Sequence, residues 1–165
     1  MNRIVKVAAL LFVCNFAWAL PDDRDQPMYI SADNATIDEI SGITTYTGTV
    51  KITQGSMSLA SDKAVIYTTE GDIERVEAFG QPAHMRQQPQ IDKPFTDAWG
   101  NHVIYNLQTE KATLLKDAKV ISDNNTFTGA RILYNLKTSF VEAFSDPAEK
   151  KQRVQMIILP KKKSN

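Results

Sequence analysis

The 165-residue sequence has a single cysteine, Cys14, which lies in the N-terminal apolar run VAALLFVCNFAWA. Arg3 and Lys6 precede this run, and Ala17-Trp18-Ala19 ends it with the small-x-small pattern that signal peptidase recognises. We therefore predict a Sec-type signal peptide over 1–19, cleaved after Ala19. The mature chain would then contain no cysteine, so its core and its sheet hydrogen bonds must hold it without disulfides.

The sequence also lacks an excess of either charge. Removing Arg3 and Lys6 from the 19 basic residues leaves 17 against 19 acidic ones, a net charge near −2. This balance argues against nucleic acid as a partner, because nucleic-acid binding requires a basic face. No segment after the leader is long and apolar enough to span a membrane. The roughly 146 remaining residues suffice for one domain with one core.

Residues that could define a reaction are scarce. His84 and His102 are the only histidines, and each stands alone in an alternating segment, where we expect it to be solvated. The sequence contains no HxH, HExxH or GxSxG motif and no glycine-rich phosphate loop. Asp38 and Glu39 are adjacent, so on a strand they would point to opposite sides. We therefore predict a non-enzymatic protein with no metal site and no cofactor.

Apolar residues at helical spacing are absent from the predicted mature chain, and alternation with period two replaces them. Turn signals separate the alternating runs, for example SG at 41–42, QGS at 54–56 and SDNN at 122–125. The pattern predicts an all-β protein with many short strands. The residues that share a face within each run are Tyr46, Val50 and Ile52; Met57 and Leu59; Val103, Tyr105 and Leu107; Leu114, Ala118 and Val120; Ile132, Tyr134 and Leu136; and Val154, Met156 and Ile158.

Part of the sequence is repeated. VEAFGQPA at 76–83 and VEAFSDPA at 141–148 agree at six of eight positions. The segment 45–66 also aligns with 113–134 at a constant offset of 68. The repeated unit consists of strand, turn, strand, loop and strand. Two consecutive copies of such a unit bury their apolar faces by stacking on each other. The repeat therefore predicts layers of one antiparallel sheet structure, and it argues against a duplicated functional site.

Four segments carry a family likeness: DQPMYISAD at 25–33, YTGTVKITQGSMSLASDKAVIY at 46–67, EAFGQPA at 77–83 and EAFSDPAEKKQRVQMIILP at 142–160. In content and order they resemble the OstA-like repeat family. The likeness covers the whole mature chain. It implies a twisted, open β-jelly roll built from repeated antiparallel strand units. We assign this domain to 20–160 and expect 161–165 to be a lysine-rich disordered tail.

The resemblance also implies a function. Proteins of this kind are expected in the periplasm, where they bind lipopolysaccharide through lipid A and bridge the inner and outer membranes during outer-membrane assembly. The implied partners are further copies of the chain, stacked head to tail, and the inner-membrane and outer-membrane transport components with related β folds.

An open jelly roll would hold acyl chains in an apolar groove, because each CH₂ left in water costs about 0.8 kcal/mol. The same residue types would equally build a closed core, so a β-solenoid structural or adhesion module of the envelope is the alternative. The candidate groove residues are Met28, Ile30, Ile37, Val50, Ile52, Met57, Leu59, Met85, Phe95, Phe127 and Phe144.

The segments near the two ends of the predicted domain are good strand formers with little internal charge. Pairing the last strand of one copy with the first strand of the next would continue the sheet by β-augmentation. Such a contact is heterologous and open-ended, so it predicts filaments. The candidate edge residues are Met28, Tyr29, Ile30, Val154, Met156 and Ile158.

Overall fold

A computed structural model describes residues 23–146 and 153–160. The predicted signal peptide, 1–19, and the predicted tail, 161–165, lie outside the described residues. Within the described part of the chain, no helix reaches the length and apolar character needed to cross a bilayer. The elements are a short 3-10 helix at Asp23–Asp25 and the strands β1 (Met28–Ser31), β2 (Asn34–Asp38), β3 (Ile43–Gln54), β4 (Met57–Thr69), β5 (Asp72–Gln87), β6 (Thr96–Asn106), β7 (Lys111–Ser122), β8 (Asn125–Asn135), β9 (Phe140–Phe144) and β10 (Gln155–Ile157).

These strands form one open antiparallel sheet in the order β1-β3-β4-β5-β6-β7-β8-β10. β2 lies beside β1 along the same edge of β3, and β9 lies beside β10 along the same edge of β8. Each edge of the sheet therefore consists of two short strands, while the interior strands are long and consecutive in sequence. The predicted all-β, antiparallel architecture is confirmed.

A line of bulges crosses the sheet. In each pair of neighbouring strands from β3 to β8, the pairing register shifts at one point. The shifts lie beside residues that pair with one another across the sheet, namely Thr47, Lys63, Phe79, His102 and Leu115, so the irregularities lie side by side. Bulges bend strands and increase their twist. We call this line the spine. It divides the sheet into arm A, which contains β1, β10 and the turn 55–56, and arm B, which contains β2, β9 and the turn 70–71.

The spine preserves the predicted repeat. Gly48 and Thr49 form the bulge of β3 with φ of 83° and 44°, and Lys116 and Asp117, 68 residues later, form the bulge of β7 with φ of 60° and 56°. The hairpin turns 55–56 and 123–124 obey the same offset. The two units therefore share their turns and their backbone bend, as an architectural repeat requires.

Both arms contribute to one core. Tyr134 of arm B donates a hydrogen bond to Gln87 Oε1 of arm A at 3.4 Å, although their strands are not neighbours in the sheet. The sheet is therefore folded at the spine, so that the inner faces of arms A and B pack against each other. The largest fully buried side chains are Tyr134, Ile52, Met57, Leu59, Met85, Leu114, Ile132, Val50, Val76, Val103, Val120 and Thr96.

Two turns of arm B share a motif that the sequence-based prediction missed. Asn106 Oδ1 accepts the Thr109 N–H, and Asn135 Oδ1 accepts the Thr138 N–H, each at 2.9 Å. Both turns carry the sequence YNLxT, at 105–109 and 134–138. The signal was present, because an asparagine whose side chain bonds to the backbone ahead of it is a common way to start a turn.

Candidate functional site

Three rows of inward side chains cross the sheet from one edge to the other, joined by direct cross-strand pairing. The arm A row consists of Ile30, Ile52, Leu59, Met85, Ala98, Val120, Phe127 and Met156. The first arm B row consists of Ala35, Tyr46, Ala64, Ala78, Val103, Leu114, Ile132 and Ala143. The second consists of Ile37, Thr44, Ile66, Val76, Tyr105, Ala112, Tyr134 and Val141.

Each row spans eight strands, or about 34 Å at the usual spacing between strands. Apart from the three tyrosines, Tyr46, Tyr105 and Tyr134, the only polar member of the three rows is Thr44. Side chains directly opposite each other on antiparallel strands are in contact, so each row is a continuous apolar track. The tracks run across the strands and end at both sheet edges.

The tracks are packed in the middle and accessible at their ends. Val120 and Val103, near the centre, are 0% exposed. Ile37 on β2 is 66% exposed and Met156 on β10 is 51% exposed, although both pair with residues of the inner face. Inward apolar side chains left open at both edges are what an open-ended channel or a stack of copies requires.

Most of the predicted groove residues lie on this inner face. Five are in the buried core, and Met28, Ile30 and Phe127 are half-buried against it. Ile37 is inward but exposed. Whether these side chains contact a lipid stays a prediction. The five core members are Val50, Ile52, Met57, Leu59 and Met85.

Phe95 and Phe144 are a correction, because they lie on the outer face. The Arg86 guanidinium covers the Phe95 ring at 4.4 Å, and the Arg131 guanidinium covers the Phe144 ring at 4.3 Å. Alternation explains both positions: Thr96 is buried directly after Phe95, and Ala143 packs on the core directly before Phe144. Each ring is held outside by a cation–π contact with an exposed arginine.

Sequence reasoning also missed most of arm B as a candidate lining. Tyr46, Val103, Leu114 and Ile132 occupy the same inner face as the predicted residues. Their alternating runs were visible in the sequence. What was missing was the bend at the spine, which turns the second half of each long strand, β3 to β8, back over the first half.

The predicted edge residues occupy the edge strands or flank them. Met28, Tyr29 and Ile30 lie on β1, and Met156 lies on β10, with Val154 and Ile158 just beside it. Both strands belong to arm A and are the two ends of the strand order. Pairing between copies at these edges stays a prediction.

The two histidines face outward, as expected, but they are not simply solvated. His84 Nε2 lies 2.7 Å from Asp97 Oδ1, and its ring stacks on Trp99. His102 Nε2 lies 3.0 Å from Glu77 Oε2 in a similar arrangement. Among residues 23–146 and 153–160, no three His, Asp or Glu side chains come together as a metal-ligand set.

Known lipopolysaccharide transport proteins are similar to this chain in sequence. The family described as LptA/(LptD N-terminal domain) LPS transport protein matches residues 29–140. Lipopolysaccharide export system protein LptH of Pseudomonas aeruginosa is 37% identical over 155 residues, covering 91% of this chain and 89% of that protein. Lipopolysaccharide export system protein LptA of Haemophilus influenzae is 34% identical over 162 residues, covering 96% and 92%.

A solved structure is also similar in fold. The crystal structure of LptH, described as the LptA homologous periplasmic component of the conserved lipopolysaccharide transport device from Pseudomonas aeruginosa, superposes with a TM-score of 0.79 at 33% identity. The match covers 85% of this chain and 100% of that chain. This chain belongs to the LptA/(LptD N-terminal domain) family of lipopolysaccharide transport proteins.

Proposed function

We propose that this chain is a periplasmic lipopolysaccharide transport protein that bridges the inner and outer membranes. Its folded sheet would shelter the acyl chains of lipid A between arms A and B, while the sugars stay in water. The observation that carries this proposal is the set of apolar tracks that run from edge to edge. The family membership supports the same cargo, since the relatives are lipopolysaccharide export proteins.

The length of the apolar tracks matches the size of a ligand that has several acyl chains. Each CH₂ removed from water contributes about 0.8 kcal/mol, so several acyl chains require a long apolar surface rather than one pocket. Met57, Met85 and Met156 lie along the inner face, and their flexible thioethers adapt to chains of variable shape. The protein would act by binding and hand-over, without an enzymatic step or a cofactor.

Adjacent residues on the edge strands give a matched test of the cargo site. Ile37 and Met156 face inward, whereas their neighbours Thr36 and Ile157 face outward on the same strands. A photo-crosslinking amino acid at either inward position should form adducts with lipopolysaccharide, and the outward neighbours should form few. Equal yields at inward and outward positions, or no adducts in a folded protein, would favour the closed-core structural or adhesion module instead.

We further propose that copies join end to end, with β10 of one copy placed beside β1 of the next. This arrangement would continue both the arm A sheet and its apolar track across the junction. Deleting 153–165 removes β10 and should abolish concentration-dependent oligomers in light scattering while lipopolysaccharide binding persists. Deleting 161–165 alone is the matched control and should leave the oligomers intact. Oligomers that survive both deletions would refute the edge-pairing model.

The same proposal covers the parts of the chain that surround the domain. Residues 1–19 would direct export and be removed after Ala19, 20–160 would form the β-jelly-roll domain, and 161–165 would be a disordered tail. The end strands would also dock on the inner-membrane and outer-membrane transport components, whose related β folds offer the same kind of edge. Mass measurement of the protein purified from the periplasm tests the predicted cleavage directly.

A further inference from the structure

The free ends of the two arms meet along a seam opposite the spine. On arm A the seam includes Gln54, Met57 and the loop that follows Gln87, and on arm B it includes the turn 107–110, because clefts there are lined by side chains of both arms. Residues 23–26, which include the 3-10 helix, lie across this seam and contact both sides. We call these four residues the clasp.

The clasp is held firmly on arm A. The Asp23 carboxylate accepts hydrogen bonds from the Ser56 N–H at 2.7 Å and the Ser56 hydroxyl at 2.5 Å. The buried Gln54 side chain donates to the carbonyl oxygens of Arg24 and Gln26 at 3.2 and 3.1 Å. Gly55 permits this approach, because a Cβ at that position would lie 2.2 Å from Asp23 Oδ1.

On the other side of the seam, an ion pair links the clasp to arm B. Arg24 Nη1 lies 3.6 Å from Glu110 Oε1, and the two side chains are 44% and 13% exposed. A long, partly exposed ion pair of this kind contributes little to stability and is weakened further by salt. The clasp is therefore joined to arm A by several short hydrogen bonds, whereas the ion pair that reaches Glu110 of arm B is easily released.

Two clefts open beside Arg24, and both reach apolar side chains between the arms. One is lined by Met57, Tyr105 and Leu136, and the other by Met28, Ile73 and Leu107. The seam is thus a place where the interior approaches solvent between the two sheet edges.

We propose that the clasp is a releasable latch that controls sideways admission of acyl chains through the seam. This inference rests on the proposed lipopolysaccharide function. Because the middle of each track is fully packed, acyl chains that enter through the seam require the arms to separate there. The clasp stays on arm A while Arg24 leaves Glu110, so the seam widens without loss of the arm A hydrogen bonds.

Cysteine pairs test the latch cleanly, because the only native cysteine, Cys14, lies in the predicted signal peptide. The pair Arg24→Cys and Glu110→Cys, joined by a reducible bifunctional thiol linker, ties the clasp to arm B. The pair Asp23→Cys and Ser56→Cys ties it to arm A alone and is the matched control. The readout is the rate at which fluorescent lipopolysaccharide loads onto the purified protein, with circular dichroism and thermal melting to verify folding.

The latch predicts that the arm B cross-link slows loading by about tenfold or more, with recovery on reduction, because closure gates access. The variant cross-linked to arm A should load lipopolysaccharide as fast as the same variant does after reduction. Equal loading by both cross-linked forms would overturn the latch while leaving the proposed function intact. If no form binds lipopolysaccharide, including the reduced and wild-type proteins, the proposed function itself fails.

A single substitution gives an independent measurement. Glu110→Gln removes the charge pair and should raise the loading rate about two- to fivefold, the range that a partly exposed ion pair allows. Added salt should accelerate wild-type loading and have little effect on the variant. A loading rate that is unchanged or slower in Glu110→Gln would contradict the latch.

Discussion

The bulge at Gly48 gives the sharpest test of the folded sheet. Gly48 has φ of 83°, and a Cβ built there would lie 2.2 Å from Asp33 Oδ2 and 2.8 Å from Asp33 Cβ. The Asp33 N–H also donates to the Gly48 carbonyl at 3.0 Å. Because Asp33 Cβ is fixed by its backbone, Gly48→Ala must displace the chain between β1 and β2 as well as adopt a left-handed conformation.

The expected cost combines two contributions. The left-handed backbone costs a non-glycine residue about 1–2 kcal/mol. Weakening the Asp33 hydrogen bond costs about 0.5–1.5 kcal/mol. Gly48→Ala should therefore lower the free energy of unfolding by about 1.5–3.5 kcal/mol, a large but not exceptional effect.

Urea denaturation followed by the fluorescence of Trp99 measures this change. Lys116→Ala is the matched control, because Lys116 occupies the equivalent bulge at φ of 60° and already carries a side chain. It should alter stability by less than about 0.5 kcal/mol. Asp33→Gly combined with Gly48→Ala should recover part of the loss. If Gly48→Ala stays within 0.5 kcal/mol of wild type, about the usual surface effect, the proposed contact at the spine is refuted.

Three further perturbations follow from burial and charge. Leu114→Ala, at a fully buried position, should cost about 2–5 kcal/mol in urea unfolding, whereas Ile40→Ala at a fully exposed turn should cost less than about 0.5 kcal/mol. Burial raises the pKa of Tyr134 above 10.0. The contribution of the neutral phenol to stability is therefore present below pH 10 and is lost as the pH rises through the pKa that Tyr134 has in the folded protein. Tyr134→Phe should flatten the fall in the free energy of unfolding at alkaline pH. Hydrogen bonds from Ser41 lower the pKa of Asp38 below 3.8, so the contribution of the Asp38 carboxylate to stability is present above pH 3.8 and is lost as the pH falls further. The melting temperature of Asp38→Asn should therefore depend less on pH below 3.8 than that of the wild type. An identical acid profile for the two proteins would contradict the role given to these hydrogen bonds.

The strand content was predictable because alternation is a local property. Runs such as Val103, Tyr105 and Leu107 keep their inner face in the structure. The offset of 68 likewise predicted equivalent hairpins, since turn chemistry acts over a few residues. For the phenylalanines at the strand margins, alternation gives the correct face only when it is counted from a neighbour known to be buried, Thr96 for Phe95 and Ala143 for Phe144. Phe95 and Phe144 were assigned to the interior for their apolarity, yet neighbouring arginines hold them outside.

The sequence by itself therefore determined the strands, their order of repetition and the apolar character of one face. Only the tertiary structure decided that the sheet bends at the spine, that arm B lines the same interior and that the clasp joins the two arms. The physical reason is the separation in sequence of the residues that interact. Alternation and turns depend on residues a few positions apart, whereas Asp23 meets Ser56, Arg24 meets Glu110 and Tyr134 meets Gln87 only after the whole sheet has folded over.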